Sequence, residues 1–146
     1  MIVELISAAA GTVAFALLFG VPVAYYVSCG AIGAAGWFVY RLLADFGVGS
    51  TFAAFFATVV IILLSRIAAV RKRCPSTVFM ITGIFPLVPG AQFYWAAYYL
   101  VTNQIDNFQA SGFSAVKIMV AIVLGIIFVF ELPHRCFRWA GRRDKA

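Results

Sequence analysis

Long apolar runs separated by short polar breaks dominate the chain, and the runs are too continuous for the one-sided stripe of a soluble amphipathic helix. Between Ile2 and Tyr40 the only charged residue is Glu4, a stretch of 39 residues. As one helix it would extend roughly 58 Å, against a hydrocarbon core about 30 Å thick. It is therefore read as two helices, with a hairpin at Gly20 and Pro22 and spans at about 3–19 and 25–43. A third run, about 48–70, follows Asp45, Phe46 and Gly47 and ends in Arg71, Lys72, Arg73, Cys74 and Pro75. The fourth, about 77–102, is interrupted by Pro86, Pro89 and Gly90. The polar stretch 103–114 is expected to be a loop, and the fifth run, about 116–132, closes at Pro133 before a basic tail, 133–146. This pattern predicts a single domain, 1–146: an all-α integral membrane protein of five transmembrane helices, the fourth broken between Pro86 and Gly90.

Composition agrees. The chain is 64% hydrophobic and 11% charged, whereas soluble domains hold about 45–50% apolar and about 25% charged residues. No soluble fold of this length hides so much apolar surface, and disorder is excluded by the same figures. The net charge of +6 reads as topology, not as a nucleic-acid surface. With five spans, one face collects Arg66, Arg71, Lys72, Arg73, Arg135, Arg138, Arg142, Arg143 and Lys145, while the other keeps Arg41 and Lys117. Basic residues gather in cytoplasmic loops, so the N-terminus is placed outside and the C-terminus inside, in a multi-pass protein of the cytoplasmic (inner) membrane.

Little else in the chain suggests chemistry. The N-terminus lacks the basic n-region of a removable signal peptide. Cys29, Cys74 and Cys136 have neither metal-ligand spacing nor a disulfide framework, and the last two fall where a palmitate can attach. The one histidine, His134, stands beside Pro133, and no nucleophile or phosphate-loop motif occurs, so neither an enzyme nor a cofactor is expected. Gly30, Gly33 and Gly36, with Ala53 and Ala57, are read as close helix packing. Tyr25, Tyr26, Trp37, Tyr40 and Trp139 are read as interface belts.

The fourth run is the exception. Pro86 cannot donate to the carbonyl of Thr82, nor Pro89 to that of Phe85. Such carbonyls cannot face lipid without a cost of several kcal/mol each. A second half-helix starting at Pro89 would aim the amides of Gly90, Ala91 and Gln92 toward the midplane, where a carboxylate is favoured, with Gln92 and Thr82 adding polar side chains. A plain proline kink is the other reading. Glu131 and Glu4 are candidate proton carriers, although both are close enough to an interface to be simply solvated, Glu131 beside Arg135.

Pro86-Leu-Val-Pro-Gly90, followed by Tyr94 and preceded by the stretch from Cys74 to Phe79, resembles the threonine/serine exporter family. Phe15 to Phe19, Gly30-Ala-Ile-Gly33 and the basic close of the third run match as well, so the resemblance covers essentially the whole chain. It is nearest to the small five-span subunit of the two-component version. The resemblance implies export of small carboxylate metabolites, threonine and serine or succinate, and the broken fourth span is taken as the candidate substrate site, with Thr82, Phe85, Pro86, Pro89, Gly90, Ala91, Gln92 and Tyr94. It also implies a partner, a larger chain with its own five spans, or else a second copy of this one. Trp95 stands where relatives often carry a basic residue. The competing expectations are a non-transporting scaffold subunit and a small homo-oligomeric channel.

Overall fold

The computed structural model describes residues 1–131. The basic tail at 133–146, with His134 and Cys136, and the end of the fifth span at Leu132 lie outside the described residues. The described part is all-helical: α1 Ile2–Leu18, α2 Tyr26–Asp45, α3 Ser50–Lys72, α4 Thr77–Ile84, α5 Gly90–Val101 and α6 Ile105–Glu131, with 3-10 turns at Val23–Tyr25 and Phe85–Leu87.

Four of these helices end by one device. Gly20, Gly47, Arg73 and Asn103 take positive φ values of 67°, 78°, 52° and 58°. The next residue then reaches back to a carbonyl of the last turn: Val21 to Ala16 at 3.0 Å, Val48 to Leu43 at 3.0 Å, Cys74 to Ala69 at 3.2 Å and Gln104 to Tyr99 at 2.8 Å. These are left-handed caps, which satisfy helix-end carbonyls without water. Glycine adopts the conformation freely, and asparagine tolerates it.

The cap at Asn103 corrects one expectation. Residues 103–114 are not a loop; the chain turns within three residues and α6 already begins at Ile105. Asn107 Nδ2 donates to Gln104 Oε1 at 2.8 Å, and Asp106 sits in the first turn, where a negative charge suits the helix dipole. The polar residues are the early turns of a helix of 27 residues, about 40 Å long and so longer than the hydrocarbon core. Polarity there marks contact with water, not irregular backbone.

Helix α2 packs between α1 and α3, α6 packs on α3, and α5 lies chiefly along α6. The short α4 sits against α1, α2 and α3, with Phe79, Thr82 and Gly83 buried. Small residues set these approaches: a Cβ on Gly33 would collide with Thr12, one on Gly36 with Ile61, and one on Gly125 would meet the Phe55 carbonyl at 3.1 Å. Close backbone contact of this kind replaces the hydrophobic drive that is missing between helices in lipid. The buried hydroxyls of Thr12, Thr58 and Ser65 donate to the carbonyl four residues back at 2.7–2.8 Å, so none is left unpaired.

Three helical segments, Val23–Asp45, Ser50–Lys72 and Ile105–Glu131, are long and apolar enough to cross a membrane. The pair Thr77–Leu87 and Gly90–Val101 makes a fourth if counted as one span; its halves are bent by 49°, a change of course and not a reversal. Helix α1 is apolar but shorter, with 17 residues. Its Glu4 lies with Arg41 and Asp45 at one end of the bundle, Arg41 Nε being 3.6 Å from Glu4 and 3.5 Å from Asp45. At the other end Lys72 Nζ donates to the Ala24 carbonyl at 3.2 Å and lies 5.5 Å from the Tyr25 ring centroid.

Candidate functional site at the broken helix

Proline creates the break and the local hydrogen bonds shape it. The carbonyl of Phe85, deprived of a helical donor by Pro89, accepts instead from Val88 at 3.1 Å. Val88 is extended (φ −61°, ψ 127°). Pro89 follows at φ −77°, ψ 59°, the conformation of an inverse γ-turn. Its turn is closed by the Gly90 amide, which donates to the Val88 carbonyl at 2.7 Å.

That bond corrects the expected amide set, since Gly90 is engaged within the turn. Pro89 is the cap of α5, and the first bond of the helix runs from Phe93 to the Pro89 carbonyl at 3.2 Å. The amides of Ala91 and Gln92, in the first turn of α5, lie too early in the helix to have acceptors four residues back within it.

Beside them is a cavity of about 190 Å³, lined by residues 86–92 together with Trp37 and Tyr40 of α2 and Ile118 of α6. At ~30 Å³ per water molecule this is room for about six, a space suited to a small metabolite and not to a drug-sized ligand. Ile118 is the central residue of α6, so the cavity lies midway along that helix.

A second cavity, about 340 Å³, shares Trp37 and Pro86 as its wall and is otherwise lined by Val3, Glu4, Ser7 and Ala8 of α1. Two buried polar atoms among the residues around it make no hydrogen bond: the indole Nε1 of Trp37 and Oε2 of Glu4, the latter in ionic contact with Arg41.

The structure thus brings Pro86, Pro89, Gly90, Ala91 and Gln92 together. Thr82 lines neither cavity: it is buried in α4, its hydroxyl donating to the Val78 and Phe79 carbonyls at 3.0 and 3.3 Å. The ring of Phe85 stacks on Phe15 and that of Tyr94 is exposed against Trp95. Glu131 is the last described residue of α6, 13 residues beyond the Ile118 that lines the cavity at the break. Trp37, read from the sequence as a belt residue, lines both cavities and has its indole nitrogen buried. Among the described residues no group of three His, Cys, Asp or Glu side chains is placed to hold a metal ion.

Comparison with known proteins gives a consistent result. An uncharacterized protein of Haemophilus influenzae is 32% identical over 141 residues, which are 94% of this chain and 48% of that protein. The chain therefore spans about half the length of this relative. No solved structure matches. The family model described as threonine/serine exporter matches residues 4–132. With that match running from α1 through the described length of α6, this multi-pass membrane chain belongs to the threonine/serine exporter family.

Proposed function

We propose that the chain is a five-span unit of a secondary exporter for small carboxylate metabolites, and that the carboxylate is held at the start of α5. The cavity between α2, α6 and the break carries this reading, because the open amides of Ala91 and Gln92 stand at the positive end of α5 beside it. The count of five takes α1 as a short span and the bent α4–α5 pair as one, since a 49° bend continues in the same general direction. The N-out, C-in orientation follows from the basic cluster at the α2 start and α3 end.

The neighbouring lobe favours an amino acid over a dicarboxylate. Glu4, Arg41 and Asp45 together carry one net negative charge, and Glu4 Oε2 is buried in that lobe. A zwitterion spanning Pro86 would place its carboxylate toward Ala91 and Gln92 and its ammonium toward Glu4. Such a unit works with a second one, either a larger chain with five spans of its own or another copy. The near-doubled length of the Haemophilus influenzae relative leaves room for a further unit within one chain. Helix α5, covered chiefly by α6 and exposing Tyr94, Trp95 and Tyr98, is the face on which a second unit would close the path.

Gly90 provides the test. A Cβ there would meet nothing within 4 Å, so the backbone at this position has room for a side chain, and a leucine adds bulk beside the cavity that Gly90 lines. Gly90→Leu and Pro89→Ala are expected to abolish export of threonine or serine from cells while membrane abundance stays normal. Normal export by both variants at normal abundance would overturn the site assignment.

A further inference from the structure

The basic end of the bundle holds another cavity, of about 520 Å³, away from the break. Arg66 of α3, Arg73 and Cys74 after it, Ser76 ahead of α4, and Phe130 of α6 line it. Arg66 stands six residues before the end of α3, roughly 9 Å inside the helix terminus, and is only 7% exposed. Its guanidinium lies 4.8 Å from the Phe130 ring centroid. Stacking engages the face of a guanidinium whereas its hydrogen bonds lie in the plane, so both modes coexist in one arginine. Charged side chains at this depth in a membrane segment are rare and are functional candidates by default.

Arg73 adds a second indication. It occupies the left-handed cap position (φ 52°) where glycine serves in the caps at Gly20 and Gly47. A side chain there costs backbone free energy that glycine avoids, and Arg73 is the second arginine among the residues that line the cavity. Beside the two arginines the cavity also has apolar surface, Val70 being 40% exposed and Phe130 48%. A wall that is cationic on one side and apolar on the other suits an amphiphile better than a free ion.

We propose that this cavity binds a phosphate-bearing anion, the headgroup of an anionic membrane lipid, between Arg66, Arg73 and the Ser76 hydroxyl, with the acyl region against Phe130 and Val70. Basic pockets between membrane helices on the cytoplasmic side take lipid headgroups by this chemistry. The site is separate from the substrate cavity, and it stands whether or not the export reading does.

Cys74 reports occupancy, since it lines the cavity and is partly exposed while Cys29 is buried. The full chain carrying Cys136→Ser is reconstituted in phosphatidylcholine vesicles containing increasing phosphatidylglycerol, and the rate of Cys74 modification by a neutral maleimide is followed. Saturable slowing by phosphatidylglycerol is expected, and Arg66→Gln or Arg73→Gly should each raise the half-protecting fraction about fivefold. Arg73→Gly gives the cap its easiest residue, so its effect cannot come from unfolding. Protection by inorganic phosphate in pure phosphatidylcholine would assign the same site to a soluble anion instead of a lipid. Equal Cys74 reactivity under all conditions, or equal protection of the wild-type chain and Arg73→Gly, would overturn the proposal; a bare surface-potential effect gives the latter.

Discussion

The ring of Phe85, at the start of the break, stacks on that of Phe15 with centroids 3.9 Å apart and planes inclined by 13°. Phe19 joins them, 5.5 Å from Phe85. This stack ties the broken helix to α1, so the backbone irregularity is held from outside the segment that contains it. Offset aromatic pairs contribute about 0.5–1.5 kcal/mol beyond area burial. In a double-mutant cycle of Phe15→Leu and Phe85→Leu, reversible unfolding in mixed micelles should give a coupling of ~1 kcal/mol. A coupling near zero would show that the rings are neighbours without holding the break.

The early turns of α6 are tested at Gly112. It lies within the helix, and a Cβ there would meet nothing within 4 Å. Gly112→Ala should therefore stabilise the helix by ~1 kcal/mol, and Gly112→Pro should cost ~3 kcal/mol. Hydrogen exchange of the amides at 106–114 reads the difference directly. Similar exchange in both variants would restore a loop to this segment.

What was legible in the sequence divides along the same lines. Pro86, Pro89 and Gly90 announce the break because proline removes a donor wherever it stands. The glycines of α2 announce close packing because nothing else in lipid needs them. The segment 103–114 was misread because polarity reports the solvent, while conformation was set by Asn103, whose left-handed cap is a weak signal without coordinates. The wall of Glu4, Ser7 and Trp37 was beyond sequence reasoning: these residues come from two helices, and only their packing against Pro86 assembles a cavity. Likewise the γ-turn that engages the Gly90 amide depends on backbone angles that Pro89 permits but does not impose.

Packing of α1 on α2 depends on Gly33. A Cβ there would stand 2.8 Å from Thr12 Cβ and closer still to its hydroxyl. Thr12 cannot turn away without giving up its 2.7 Å bond to the Ala8 carbonyl. Gly33→Ala should therefore force the helices apart, costing about 1–3 kcal/mol as overpacking does. It should also lower the Tm in detergent, and Thr12→Gly should recover part of the loss. An unchanged Tm for Gly33→Ala would mean that α1 is free to shift.

Trp37 and Glu4 separate the amino-acid reading from the dicarboxylate one. Trp37→Phe keeps an aromatic side chain between the two cavities but removes the buried N–H together with part of the indole, so the loss of the donor is read along with a small gain in cavity volume. If that donor meets substrate, its loss costs about 1.5–3 kcal/mol for a charged partner, a rise of ~10- to 100-fold in the half-saturating substrate concentration, with abundance unaltered. Glu4→Gln removes the charge that would face an ammonium and frees Arg41 to pair with Asp45 alone. Transport of threonine by this variant should fall while that of a dicarboxylate holds or rises, measured by counterflow in membrane vesicles from cells that produce the variant. Equal losses for both substrates would place Glu4 in the fold of α1 against α2, and would leave the proposed site at the start of α5 without a part for Glu4.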